Sequence, residues 1–197
     1  MKGFWNTITT LEGPGTAIAS SSTRTSMTVG STQFRKPLPA DTFSNTGDMV
    51  YLMASGIITT VVTTPGTLTL DLSLGGNTIV SSGAMALNTT AQTNTPWILE
   101  VYMSAKTVGS GTAATLVFTG HWESPASVGV AVGATGPGPG GQIIPYSATA
   151  TGASTTSAGF DSTVANVIDL FSTFSVTTAN SIQLLQAALI PMTATGF

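Results

Sequence analysis

The sequence predicts an all-β antiparallel sandwich, and three observations carry that reading. From Leu68 to Leu74 leucine alternates strictly with Thr69, Asp71 and Ser73, which places Leu68, Leu70, Leu72 and Leu74 on one face of a strand. The same period of two returns further on, where Trp97, Leu99, Val101 and Met103 fall on one face and Ile98, Glu100 and Tyr102 on the other. The chain is also rich in Val, Ile, Leu and Thr, which suit a pleated, half-buried surface and argue against disorder. A leucine face that regular must be covered. One pair of strands cannot cover it alone, so a second sheet has to pack over the first.

Composition bounds the function. Of 197 residues 42% are hydrophobic and 7% charged, against roughly 25% charged in a typical soluble domain. Charge this sparse fits a surface buried in an assembly or one wetted by Ser and Thr hydroxyls. Five basic residues, Lys2, Arg24, Arg35, Lys36 and Lys106, face eight acidic ones, with no basic run longer than Arg35-Lys36. Binding a phosphate backbone requires several cations on one surface, so nucleic acid is not an expected partner. With no cysteine, disulfides, thiolate metal sites and a Cys nucleophile are all excluded, and packing alone must hold the fold. No run of about 18 apolar residues occurs and the N-terminus lacks an apolar stretch of signal-peptide length, so neither a membrane span nor export by that route is expected.

In chain order, residues 1–25 read as an N-terminal arm and 26–197 as a sandwich domain with an insertion at 124–159. In the arm, Phe4, Trp5 and Ile8 form an apolar patch that Gly13-Pro14-Gly15 separates from the first sandwich strand. Aromatics at a polar terminus need a docking site, on this chain's core or on a neighbour, so these three are the expected interface residues. Pro37 and Pro39 keep the next segment extended. Met49 to Gly76 is expected to be a β-hairpin turned at Thr64-Pro65-Gly66, where proline presets one turn dihedral and glycine tolerates the next. Asn77 to Thr95 is polar and reads as a crossover connection.

A second hairpin is expected from Pro96, with its turn at Gly109-Ser110-Gly111 and a return strand from Thr112 to Trp122. The insertion centres on Gly133 to Gly141, where glycine and proline deny both helix and sheet interior, and the flanking runs Val128 to Val132 and Gln142 to Tyr146 are expected to pair as a small hairpin. Val164, Val167, Ile168, Phe171 and Phe174 would suit a helix face. The alternating set Ile168, Leu170, Phe174 and Val176 is equally apolar, and the Thr, Ser, Val and Phe content favours two strands, Phe160 to Val176 and Ser181 to Ile190.

A search for chemistry nominates no catalytic, metal or cofactor-binding residue. His121 is the only histidine, and Glu123 shares its strand face, but a strand-end histidine beside a tryptophan is far more often a packed or interfacial residue than a ligand. A Ser-His-Asp triad would need His121 with Asp161 or Asp169, and no G-x-S-x-G elbow is present. The acids are scattered singly, so no carboxylate pair stands out. The glycine-rich segment around Gly136 lacks the Lys-Ser/Thr end of a P-loop, and its prolines remove backbone donors. Trp5, Trp97 and Trp122 could offer a sugar-stacking platform, yet Trp97 opens an alternating buried face and fits a core. The chain is therefore not expected to be an enzyme.

The runs PADTFSNTGDMVYLMASGIITTVVTTPGTLTLDLSLGGNTI, NTPWILEVYMSAKTVGSGTAATLVFTG and FDSTVANVIDLFSTFSVTTANSIQLLQAALI resemble a jelly-roll domain of virion structural proteins of tailed bacteriophages. The resemblance covers Pro39 to Gly120 and Phe160 to Ile190, and its motifs are turns and core strands. The Ser124 to Gly159 insertion departs from the pattern, as does Phe174 where such proteins often carry Trp. What it implies is a capsid decoration, or cement, protein: a jelly roll, commonly a homotrimer, that sits on the capsid surface of the virion after assembly in the host cytoplasm. There it would bind the major capsid protein and tie its copies together, with no nucleic acid or membrane involved. The runner-up role is a head-fibre or tail receptor-binding module that recognises host glycans through the loop tips at Gly133 to Gly141, and a glycan-active enzyme is a third, since fold does not fix function.

Overall fold

A computed structural model of the chain describes residues 9–11, 13–19, 21–29, 37–61, 63–127, 140–144, 156–177 and 179–192. Among them run thirteen strands and no helix: β1 (Thr9–Thr10), β2 (Ile18–Ala19), β3 (Thr25–Ser26), β4 (Pro37–Leu38), β5 (Met49–Thr60), β6 (Thr67–Leu74), β7 (Asn77–Ser81), β8 (Met85–Ala86), β9 (Gln92–Thr107), β10 (Thr115–Ser124), β11 (Gly140–Ile144), β12 (Asn166–Phe174) and β13 (Ser181–Pro191). They form two antiparallel sheets. The first, sheet A, has the order β1-β13-β5-β9-β10-β11, with β2 also on β13; the second, sheet B, has the order β3-β12-β6-β7, with β4 on β12 and β8 on β6.

The alternation seen in the sequence becomes the inner face of each sheet. Leu68, Leu70, Leu72 and Leu74 of β6 are all buried, as are Trp97, Leu99, Val101 and Met103 of β9. Val50, Leu52, Ala54 and Ile58 of β5, Ile168, Leu170 and Phe174 of β12, and Ile182, Leu184 and Leu189 of β13 complete a single core drawn from both sheets. Burying one leucine side chain of this set is worth about 1.5–3 kcal/mol, so the core residues rather than the few charges hold the fold. Gly56 marks the tightest point: it lies opposite Trp97 in the ladder, and a Cβ there would come within 2.7 Å of the indole and 1.9 Å of the Gln183 carbonyl oxygen. The missing side chain is what lets the ring lie against β5.

The expected hairpin from Met49 to Gly76 is not one. β5 pairs with β13 and β9, whereas β6 pairs with β12, β7 and β8, so the two strands lie in different sheets. Thr64-Pro65-Gly66 therefore turns the chain across the edge of the core instead of back along the same sheet. Asn180 ties this corner down, accepting from the Val61 N–H (3.1 Å) and donating to the Pro65 carbonyl (2.7 Å). Alternation says which face of a strand is buried but not which sheet the strand joins, and both arrangements bury the same leucines. The true hairpin here is β6–β7, turned at Gly75-Gly76, and it occupies part of the stretch expected as a crossover.

The second expected hairpin, β9–β10, is present, with nine paired positions between Thr115 and Glu123. β11 adds to β10, running from Gly120 opposite Ile144 to Ser124 opposite Gly140. The Gln142 side of the small hairpin expected in the insertion is thus paired with β10; Val128 to Val132 lie outside the described residues. The described part of residues 1–25 also lies against the sheets: β1 and β2 extend β13, the Leu11 and Gly15 amides donate to the Ala187 and Leu184 carbonyls, and β3 extends β12. The described residues of the expected arm from Thr9 on thus run along the two sheets of this chain, one of the two docking sites open to it.

Candidate interaction surface

The outer face of sheet A arises from the same alternation. Each strand that sends a core residue inward sends its neighbour outward. Three rows cross the strands β13, β5, β9 and β10 in register: Ile190, Tyr51, Tyr102 and Thr119; then Ala188, Met53, Glu100 and His121; then Gln186, Ser55, Ile98 and Glu123. Six of these twelve positions are apolar or aromatic and none is Lys or Arg. Met53, Ile98 and Tyr102 are exposed at 43%, 47% and 39% of their surface.

Tyr51 and Tyr102 stack with ring centroids 4.7 Å apart and planes at 27°. The Tyr51 hydroxyl donates to Glu100 Oε1, so the carboxylate at the centre of the face is already engaged within the sheet. Partial burial, then the hydrogen bond to Glu100 and that carboxylate's charge, push the Tyr51 hydroxyl well above its ordinary value of 10.0. The result is a face whose central carboxylate accepts a hydrogen bond from its own sheet.

Sheet B presents the opposite surface. Its outward positions include Thr67, Thr69, Asp71 and Ser73 on β6 and Asp169, Phe171 and Thr173 on β12. The Arg24 guanidinium covers the Phe171 ring at 3.5 Å, pairs with Asp71 (3.3 Å) and donates to Thr78 Oγ1 (3.3 Å). Asp169 is buried on this side beneath the segment after β3, accepting from Ser26 Oγ (2.8 Å) and from the Thr28 hydroxyl. Polar groups here meet other polar groups, Phe171 is covered by Arg24, and Val167 is the apolar residue these two strands leave exposed, at 38%.

Of the residues nominated from the sequence, Phe4, Trp5 and Ile8 lie outside the described residues. His121 stands on the outer face of β10 directly opposite Glu100, with Glu123 two positions along. Among the described residues, no group of three His, Asp or Glu is arranged to hold a metal ion. Asp161, considered as a triad partner, instead closes a turn: it accepts from the Thr163 hydroxyl (2.7 Å), the Thr163 amide (2.9 Å) and the Gly111 amide (2.8 Å). The Thr163 hydroxyl bond first, and the two amides after it, hold its carboxyl below the usual carboxylate value. Asp169 sits on the outer side of sheet B while His121 sits on the outer side of sheet A, so these two face away from one another. Trp97 and Trp122 stack at 5.2 Å inside the core, Trp122 donating to Ser127 Oγ (3.0 Å), and present no platform to solvent.

Sequence reasoning placed Ile98, Glu100 and Tyr102 together on one side of β9, but it did not nominate them. Their neighbours Tyr51 and Met53 come from β5, and only the β5–β9 register brings them alongside. No protein-family model matches the chain, and no curated protein matches it.

Proposed function

We propose that this protein is a structural component of a bacteriophage virion, a capsid decoration protein that binds the head shell and stabilises contacts between major capsid proteins. The observation that carries the reading is the strand order. β13, the last strand, lies between the N-terminal β1 and β2 and the central β5; β12, the one before it, lies between the N-terminal β3 and β4 and the central β6. The chain's beginning and end are thus paired in both sheets, and β5 to β6 and β12 to β13 each cross from one sheet to the other. That winding supports a jelly roll, two Greek keys closed on each other.

The turns that carry the resemblance fall between strands: Thr64-Pro65-Gly66 at the β5–β6 crossing, Gly75-Gly76 at the β6–β7 hairpin and Gly109 to Gly111 at the β9–β10 turn. A rigid block of this kind, without a nominated catalytic centre, suits permanent assembly better than turnover. In this role residues 1–8, with Phe4, Trp5 and Ile8, strap onto a neighbouring subunit, and the domain acts as a homotrimer at the capsid surface.

Electron microscopy of particles displaying the protein tests this. A regular lattice of density over the head shell is the expected result, with occupancy lowered when residues 1–8 are deleted. A few copies confined to a vertex or tail would contradict it and favour the receptor-binding role.

A further inference from the structure

We propose that residues 21–29 form a strap over the edge of β12 that opens and closes as a unit while the rest of the sandwich stays folded. The inference goes beyond the virion reading and does not depend on it, because it concerns the chain by itself. On one side β12 pairs with β6 over seven positions, from Ile168 to Phe174. On the other side the strap meets it at two, Ser26 opposite Phe171 and Thr25 opposite Ser172. One amide bond lies beyond each end, from the Met27 N–H to the Leu170 carbonyl (2.8 Å) and from the Phe174 N–H to the Ser21 carbonyl (3.1 Å). Met27 is the one apolar side chain that the strap buries, whereas β6 buries Leu68, Leu70, Leu72 and Leu74. A segment holding so little apolar surface out of water belongs to the low-stability end of a fold and opens before the core does.

The polar groups around the strap set its balance. Several of its hydroxyl bonds are internal, with Ser21 and Thr25 donating to the Thr23 carbonyl and Ser26 paired with Thr28, so they leave with the strap and cost nothing on opening. Closure is favoured from the outer side of β12, where Asp169 accepts from Ser26 Oγ (2.8 Å) and from the Thr28 hydroxyl, and where Arg24 covers Phe171 and pairs with Asp71. Opening is favoured from the inner side. There Ser172, between Thr25 and Leu70 in the ladder, has a buried hydroxyl with no hydrogen-bond partner among the described residues. A buried hydroxyl in that state destabilises the closed form, and once the strap leaves, β12 is the edge of the sheet at this point and water reaches it. The open form presents the backbone N–H and C=O groups of β12 from Leu170 to Phe174, an edge to which an extended chain can add, and the closed form withholds it.

Hydrogen exchange of the full chain, read at single amides by nuclear magnetic resonance, tests the proposal. The amides of Met27 and Phe174, which bridge the strap and β12, should exchange at least tenfold faster than those of the β6–β12 ladder. Ser26→Ala combined with Thr28→Ala should speed exchange at these two amides at least a further tenfold and leave the β6–β12 ladder unchanged, whereas Ser172→Ala should slow it severalfold. Exchange at Met27 and Phe174 in step with the β6–β12 ladder in the unaltered chain overturns the proposal. So does exchange there that is indifferent to loss of the Ser26 and Thr28 hydroxyls, or that is no slower in Ser172→Ala.

Discussion

The outer faces of the two sheets are built from strands of the same alternating type and back onto the same core, yet they solve the problem of facing outward in different ways. On sheet B the outward positions are hydroxyls and charges that find partners within the chain: Arg24 on Phe171 and Asp71, Ser26 and Thr28 on Asp169. On sheet A they are Met53, Ile98, Tyr102 and their neighbours, with Tyr51 and Glu100 bonded to each other at the centre. In a chain with only 7% charged residues, concentrating the internal polar pairs on one side leaves Met53, Ile98 and Tyr102 exposed among polar neighbours on the other. The difference teaches that low charge does not blur the whole surface evenly. It divides the molecule into a face whose polar groups are paired within the chain and one that leaves large apolar side chains exposed.

The largest effects should come from the shared core, where the two sheets must behave alike. Leu52→Ala on sheet A and Leu72→Ala on sheet B, both buried, are each expected to cost about 2–5 kcal/mol in chemical denaturation. A cost confined to one sheet would mean that the two do not share a core, and the comparison of their outer faces would lose its basis.

Next in size is Asp169→Ala. The substitution strips the Ser26 and Thr28 hydroxyls of a buried acceptor, so a loss of about 1–3 kcal/mol is expected, with the segment around β3 loosened from sheet B. Amide exchange at residues 25–28 should rise with it; unchanged exchange there would show that Asp169 does not hold the segment. Arg24→Ala should matter less, at most about 1 kcal/mol, because its ion pair and its ring contact are both partly open to solvent. A thermal melt reads the change, and a larger drop would assign Arg24 a role in packing that these contacts do not explain.

The smallest effect is alkaline and belongs to sheet A. The folded protein holds the Tyr51 hydroxyl above its ordinary value of 10.0, so the stabilisation from the protonated form is complete below that pH and declines as the pH rises towards the folded value. Tyrosinate absorbance of the three tyrosines should show one that ionises late, and Tyr51→Phe should remove that late phase. Its persistence in the variant would mean that the Tyr51–Glu100 bond is not formed in solution.

How far these features were legible depended on what alternation can carry. The inner faces of β6, β9 and β12 were readable, since a period of two assigns each side chain to a face; β5, apolar on both sides, and β13, whose ladder shifts between Leu184 and Gln186, gave no such assignment. Sheet membership was not readable: β5 and β6 read as partners because a turn with Pro65 and Gly66 serves a hairpin and a corner equally well. β7 was overlooked for a different reason. The ladder shifts register between Leu72 and Ser73, and Ile79 and Val80 are both buried in succession, so the strand shows no period of two. The candidate surface was half legible, for Ile98 and Tyr102 share a face of β9 by spacing alone, whereas Tyr51 and Met53 join them only through a pairing between strands some fifty residues apart.

The division of the surface is tested most directly by hydroxyl-radical footprinting of the full chain in dilute solution. Met53 and Tyr102, exposed on sheet A, should be modified severalfold faster, relative to their intrinsic reactivities, than Phe171 on sheet B, which Arg24 covers within its own chain. Equal protection of all three, or faster modification of Phe171, would contradict the account.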